Sequence, residues 1–103
     1  MEETDQIPGV IGVQFGLRFV LKGSPEGEKV LLEGKLLHPC IKNPKTGEYC
    51  YSVQWQSMVR IGEPHYDGWG FDDYWEIATG EWTFVIFCRG KKLLEKKFQV
   101  YTP

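Results

Sequence analysis

The sequence predicts an all-β fold, an antiparallel two-sheet sandwich of about seven strands. Several segments alternate apolar and polar residues with a period of two, the pattern of strands with one buried face. The 12 glycines and 6 prolines are spread along the chain in turn-forming dipeptides, and no segment has a convincing helical period. Short strands separated by such turns pack most naturally as two facing sheets.

Size and charge indicate one globular domain without an electrostatic preference for polyanions. The chain has 103 residues and a formal net charge of -2, so we expect neither nucleic acid nor an anionic membrane as a partner. Residues 1–9 are acidic and lack the apolar core of a secretory signal; we predict a flexible tail there and the domain over residues 10–103. A complete chain of this kind is expected in the cytoplasm, with its three cysteines as free thiols.

Two strands are predicted before residue 39. Residues 10–20 place Val13, Phe15, Leu17 and Phe19 on one face, as in a half-buried strand. Residues 29–38 fit either a strand bulged at a central glycine or a helix, and the glycine favours the strand. A loop is expected over residues 39–48.

The longest predicted strand covers residues 48–61. One face is expected to be apolar, and its members are Tyr49, Tyr51, Val53, Trp55, Val59 and Ile61. Cys50 lies on the opposite parity, so we expect its side chain on the wetter face.

The second half begins with a long predicted loop over residues 62–73. A short strand is expected over residues 74–77. Residues 82–89 are apolar on both faces, which indicates a central strand. The closing segment, residues 93–102, alternates apolar residues with Lys, Glu and Gln, and this charged face is typical of a sheet edge.

The segment "WEIATGEWTFVIFCRGKKLLEKKFQV" (residues 75–100) resembles the final hairpin of many bacterial immunoglobulin-like modules. With "FGLRF" near the start, "HP" at 38–39 and "WE" at 75–76, the whole chain resembles the bacterial domain-of-unknown-function family 3859. The resemblance implies a small immunoglobulin-like β-sandwich. It implies no catalytic residues, and fold likeness alone carries no activity.

Aromatic residues divide into expected core members and candidate binding residues. Trp82 continues an inward alternation, so we predict core packing, with its indole N–H bonded to a backbone carbonyl and Trp75 nearby. Trp69 and Phe71 lie in the glycine-flanked stretch "DGWGF". They are either ligand anchors on an exposed loop or a plug that closes an open end of the sandwich, and the plug is favoured.

We hypothesise a binding or interaction module for a protein or a small polar ligand, working without a cofactor, as a monomer or homodimer. The candidate binding residues are His65, Tyr66, Trp69, Phe71, Asp72 and Asp73. The rings would supply stacking area, and the carboxylates would select a cationic or hydroxyl-rich partner. The alternative is a structural module that self-associates through exposed strand edges.

Metal binding and catalysis are weaker hypotheses. A calcium site would use Asp67, Asp72, Asp73, Glu76 and Glu81, which lack the EF-hand spacing. A zinc site would use His38, Cys40, Cys50 and His65, which lack the paired spacing of structural zinc. No enzyme motif is present; a pairing of Cys40 with His65 stays open. The basic cluster has no interleaved aromatics and fits a solvated edge; it comprises Lys91, Lys92, Lys96 and Lys97.

Overall fold

The computed structural model describes residues 5–23 and 25–103, which form seven strands and one short 3-10 helix. The strands are β1 (Gln6–Pro8), β2 (Gln14–Val20), β3 (Lys29–Lys42), β4 (Tyr49–Arg60), β5 (Pro64–Gly70), β6 (Gly80–Cys88) and β7 (Lys91–Tyr101). The 3-10 helix spans Tyr74–Glu76, between β5 and β6. Of the described residues, strands hold 64% and helix 3%, which confirms the predicted all-β class.

The strands form two sheets of unequal size. The larger has the order β1-β7-β6-β3-β4, and the smaller pairs β2 with β5. Only β1 and β7 pair in parallel among the described strands; the other pairs are antiparallel. β6 occupies the middle of the larger sheet and is buried on both faces from Trp82 to Ile86, so the predicted central strand is confirmed.

Phe15 joins the two sheets at the centre of the core. From β2, its ring meets Trp82, Phe84 and Phe98 of the larger sheet at centroid distances of 5.7, 5.8 and 5.3 Å, each in an edge-on arrangement. Such pairs add about 0.5–1.5 kcal/mol each beyond the burial of their area. Leu17 is buried beside it while Val13 and Phe19 are half-buried, which confirms the predicted inward face of this strand.

The amino-terminal segment differs from the predicted tail. Gln6–Pro8 pair with Gln99–Tyr101 of β7, and Ile7 is buried at 6% exposure. Hydrogen bonds extend the pairing on both sides, from Gln99 N–H to the Asp5 carbonyl and from Gly9 N–H to the Tyr101 carbonyl. An apolar side chain next to an open strand edge accounts for this docking. The part of the predicted tail over residues 1–4 lies outside the described residues.

β3 is longer than predicted, and its bulge lies elsewhere. The strand continues through the predicted loop to Lys42, and its register against β4 shifts between Leu37 and Ile41. Gly34 is in regular register with Trp55, whose indole covers the glycine α-carbon. Gly34 therefore makes room for a cross-strand ring rather than forming a bulge, and the helical alternative is wrong.

The start of β4 is also more exposed than predicted. Tyr49 and Tyr51 are 63% and 64% exposed, and the inward-facing positions begin at Val53. This end of β4 lies opposite the bulge in β3, and a bulge bends and twists a strand pair. Cys50 is exposed, as predicted.

The predicted loop over residues 62–73 contains a regular strand, β5. Its seven residues pair with β2 in unbroken register, from Gln14 with Gly70 to Val20 with Pro64. Gly68 lies beneath the ring of Tyr66, where any larger side chain would collide with that ring.

The predicted strand over residues 74–77 is likewise wrong, since Tyr74–Glu76 form the 3-10 helix. In the described part of the chain no helix is long or apolar enough to cross a membrane.

We predict that Gly34→Ala lowers the free energy of unfolding by about 1–3 kcal/mol, the usual cost of overpacking. The added methyl group would overlap the Trp55 indole, and the ring would have to leave its position over β3. Urea unfolding followed by tryptophan fluorescence measures the change.

Gly23→Ala is the matched control, because a methyl group there meets only Ile61 at an ordinary distance of 3.8 Å. Equal stability of the Gly34 and Gly23 variants would contradict the account of Gly34.

Candidate functional site

A groove of about 400 Å³ lies between the β3–β4 hairpin on one side and Trp69 and the 3-10 helix on the other. Its apolar lining is Ile41, Tyr49, Val53, Trp69 and Trp75. Its polar lining is His38, Asn43, Thr46, Glu48, Cys50 and Glu76. Ring faces next to a few convergent polar groups are the usual composition of a ligand site.

Trp69 brings an unused hydrogen-bond donor to this groove. The side chain is half-buried on the inner face of β5, in register with Phe15. Its Nε1–H is buried and is the one such side-chain group in residues 5–23 and 25–103 without a hydrogen-bond partner. A buried donor left unpaired costs about 1–3 kcal/mol. An acceptor oxygen entering the groove would remove that cost.

His38 lies at the buried side of the groove in a fixed orientation. Its Nδ1 is 2.7 Å from the Pro39 carbonyl oxygen, and because a carbonyl only accepts, Nδ1 is the donor and Nε2 is left as an acceptor. The ring stacks on Trp82 with a centroid distance of 4.9 Å. Nε2 faces the Sγ atom of Cys50 at 3.7 Å, and the Cys50 thiol donates to the Ser52 carbonyl oxygen at 3.0 Å.

The opposite wall of the groove is acidic. Desolvation raises the pKa of Glu76 above its ordinary value of 4.5, and the carboxylates of Asp72 and Asp73 add to the rise. The backbone N–H of Asp73, which donates to Glu76 Oε1 at 3.0 Å, acts in the other direction. Glu48 adds a second carboxylate to the lining. The groove therefore favours cationic or neutral groups over anions.

The six sequence-predicted binding residues do not form one surface. Phe71 is 1% exposed and packs on Phe15 and Trp82 at 5.6 and 5.5 Å, so it plugs the core. Tyr66 points outward, 49% exposed, with Arg18 5.9 Å from its ring centroid. Asp72 and Asp73 are exposed beside the 3-10 helix. Of the six, Trp69 alone lines the groove.

His65 lies between the sheets rather than on a ligand surface. Its Nε2 is 3.2 Å from Oδ1 of Asp67, which is buried at 9% exposure and lies 3.5 Å from Ser57 Oγ. The ring also meets Phe19 edge-on at 5.4 Å. This pair satisfies polar groups on the inner face of β5, and His65 does not line the groove.

The candidate metal ligands do not lie together, because members of each set contact different residues. Of the zinc candidates, His38 and Cys50 meet, while Cys40 lies beside the Tyr51 hydroxyl. Of the calcium candidates, Glu81 is exposed on β6, 3.8 Å from Lys97. No group of three or more His, Cys, Asp or Glu side chains is placed to hold a metal ion in the described residues.

Sequence reasoning missed most of the groove. The sequence offers His38 and Cys50 only as zinc candidates and Glu76 only as a calcium candidate, and it offers neither Tyr49 nor Trp75 as a binding residue. The His-Cys pairing leaves a weak signal, because both positions lie near the predicted 39–48 turn. No sequence signal indicates that Trp75 and Glu76 line the groove, because their position depends on how the 3-10 helix packs against the hairpin.

Comparisons with known proteins support the fold. The family model described as "Domain of unknown function (DUF3859)" matches residues 1–100. The structure is similar to that of an immunoglobulin-like protein from Pseudomonas aeruginosa, with 26% sequence identity and a TM-score of 0.84 over 98% of this chain and 81% of that chain. The search of curated proteins found no match. The predicted immunoglobulin-like fold is confirmed.

The raised pKa of Glu76 predicts a pH-dependent effect of Glu76→Gln. A carboxyl whose folded-state pKa exceeds its unfolded value favours folding at low pH and loses that contribution as the pH rises through the folded pKa. We therefore expect the Gln variant to match the wild type near pH 4 and to exceed its stability at pH 7, by under about 1 kcal/mol because solvent screens a half-buried group.

Thermal unfolding at both pH values measures the difference. Glu63→Gln, at an exposed position outside the groove, is the control for the change of net charge. A stability difference between wild type and Glu76→Gln that is constant with pH would contradict the prediction.

Proposed function

This chain belongs to the DUF3859 family, as its sequence predicted, and we propose that it is a binding module whose groove takes an arginine- or lysine-bearing polypeptide segment. The observation that carries the proposal is the unpartnered Nε1–H of Trp69 in a groove lined by Trp75 and Glu76. Trp69 suits the backbone of such a segment, and Trp75 and Glu76 together suit its cationic side chain.

The Trp69 donor suits a backbone carbonyl. Peptide segments present carbonyl oxygens at regular spacing, and such an oxygen could accept from the buried indole N–H once the Trp69 ring turns to expose it. The net contribution of one such bond is about 0.5–1.5 kcal/mol, and pairing a donor that is already desolvated places it at the upper end. The donor thereby fixes the position of the bound backbone.

The acidic wall and the exposed ring suit a cationic side chain. Trp75 is 36% exposed, so one ring surface is open to solvent, and Glu76 lies on the same groove. A guanidinium group can stack on an indole while it donates to a carboxylate. Glu48, Asp72 and Asp73 extend the negative potential around this position, which favours association with basic segments.

We predict that acetylated arginine peptides bind and that citrulline versions of the same peptides bind at least tenfold more weakly, because citrulline keeps the shape and loses the charge. Trp69→Phe should weaken binding about tenfold, which corresponds to about 1.4 kcal/mol, and Trp75→Ala should abolish it. Chemical-shift titration of labelled protein against the peptide panel measures these affinities.

Tyr74→Ala is the matched control, because Tyr74 precedes Trp75 in the same 3-10 helix, is 81% exposed and does not line the groove. Its affinity should equal that of the wild type. Equal binding of arginine and citrulline peptides, or undiminished binding by a folded Trp75→Ala variant, would exclude this function.

A second candidate function is self-association through the open edge of β4. This strand is the outer strand of the larger sheet, and its residues from Tyr49 to Val59 carry no charge. The other outer region, β7 beyond the short β1, carries lysines at 91, 92, 96 and 97. Lysine discourages edge-to-edge pairing, so β4 is the edge at which a second copy would add.

We expect Gln54→Lys/Gln56→Lys, which places two charges on the exposed middle of β4, to convert any dimer to monomer. Sedimentation velocity over a micromolar concentration series measures the association. Leu31→Lys, at an exposed position of β3 away from the edge, should leave it unchanged. A wild-type protein that stays monomeric over the series would exclude this second function.

A further inference from the structure

We propose that Cys50 is a thiol–disulfide exchange site of this protein, with Nε2 of His38 as the proton acceptor. The site lies on the groove but uses Cys50 and His38, whereas the proposed peptide site uses Trp69, Trp75 and Glu76. The two proposals can therefore be tested independently. The substrate class is a small neutral or cationic disulfide, which the acidic lining of the groove admits more readily than an anionic one.

The imidazole of His38 is held in the state that a base needs. The Nδ1–H donates to the Pro39 carbonyl, so the lone pair is on Nε2, the atom that faces Cys50 Sγ. Stacking on the fully buried Trp82 prevents rotation of the ring. A thiol, a base within reach and a group that orients the base form the arrangement of nucleophilic sites. The exposed Cys50 thiol donates to the Ser52 carbonyl oxygen at 3.0 Å, so it has to turn from this acceptor to Nε2, 3.7 Å away, before the proton passes.

The other two cysteines lack this arrangement. Cys40 is exposed, but its neighbour is the Tyr51 hydroxyl. The hydrogen bond shared with Cys40 raises the pKa of Tyr51 above its ordinary value of 10.0, so the phenol is no base near neutral pH. Cys88 is half-buried at the end of the central strand and packs against the core. Cys40 is thus an internal control for exposure without a base.

The proposed step is balanced without a further oxidant. The Cys50 thiol proton passes to His38 Nε2, and the sulfur attacks one sulfur of the disulfide RS–SR. The new bond is Cys50 S–SR, the bond that breaks is RS–SR, and the leaving RS⁻ takes the proton from His38 as RSH. The Cys50 sulfur is oxidised and the leaving sulfur is reduced, as in any thiol–disulfide exchange.

The test uses bis(2-hydroxyethyl) disulfide, which is neutral and small enough for the groove. We expect the native wild type to form the mixed disulfide at Cys50 at least tenfold faster than at Cys40 at pH 7.5, as followed by peptide mass spectrometry on quenched samples. His38→Gln should reduce the rate at Cys50 at least tenfold, within the range of general base catalysis, and leave the rate at Cys40 unchanged.

Since His38 is buried and its replacement can impair folding, the wild type provides a second measurement. The Cys50-to-Cys40 rate ratio should fall to about one in 8 M urea, where the His38 contact is lost. Equal native rates at the two cysteines, or a folded His38→Gln variant with an unchanged Cys50 rate, would overturn the proposal. Exchange at Cys50 and peptide binding are measured separately on the same wild-type protein, so a failure of one is distinguished from a failure of the other.

Discussion

The packing of Trp82 is the constraint on which the two sheets and the groove both depend. Its fully buried indole meets Phe15 of the smaller sheet edge-on, and its N–H donates to the Ala78 carbonyl at 2.7 Å, which ties the chain entering β6 to the core. The Trp82 indole is also stacked against the imidazole ring of His38. One side chain therefore sets the separation of the sheets and the orientation of the only histidine that lines the groove in the described residues.

Much of the fold could be predicted because its signals are local. Phe15 and Leu17 alternate with polar residues in β2, and Trp82, Phe84, Val85 and Ile86 place apolar side chains on both faces of β6. Alternation with a period of two indicates a strand with one buried face, and apolar residues on both parities indicate a strand buried on both faces. The same pattern predicts that Trp82 is buried and that its indole N–H donates to a backbone carbonyl, and both are confirmed. These features depend on neighbours in sequence, which a single chain displays.

The groove could not be predicted, because it depends on register and on ring packing. In β5, Gly68 and Gly70 imitate a turn, and the inward Asp67 breaks the apolar pattern until its partners His65 and Ser57 are known. The β3 bulge sets which residues of the hairpin meet, and the pairing of His38 with Cys50 follows from it. Whether a tryptophan N–H has a partner is likewise a property of three-dimensional packing alone.

The parallel docking of β1 on β7 has a mechanical consequence. The two strands hold opposite ends of the described chain and are joined in register from Gln6 with Gln99 to Pro8 with Tyr101. Tension applied at residues 5 and 102 in opposite directions would slide the strands along each other, so their hydrogen bonds would bear the force together instead of opening one after another. A short contact that buries Ile7 thus lets this small domain resist tension between its ends through several hydrogen bonds at once.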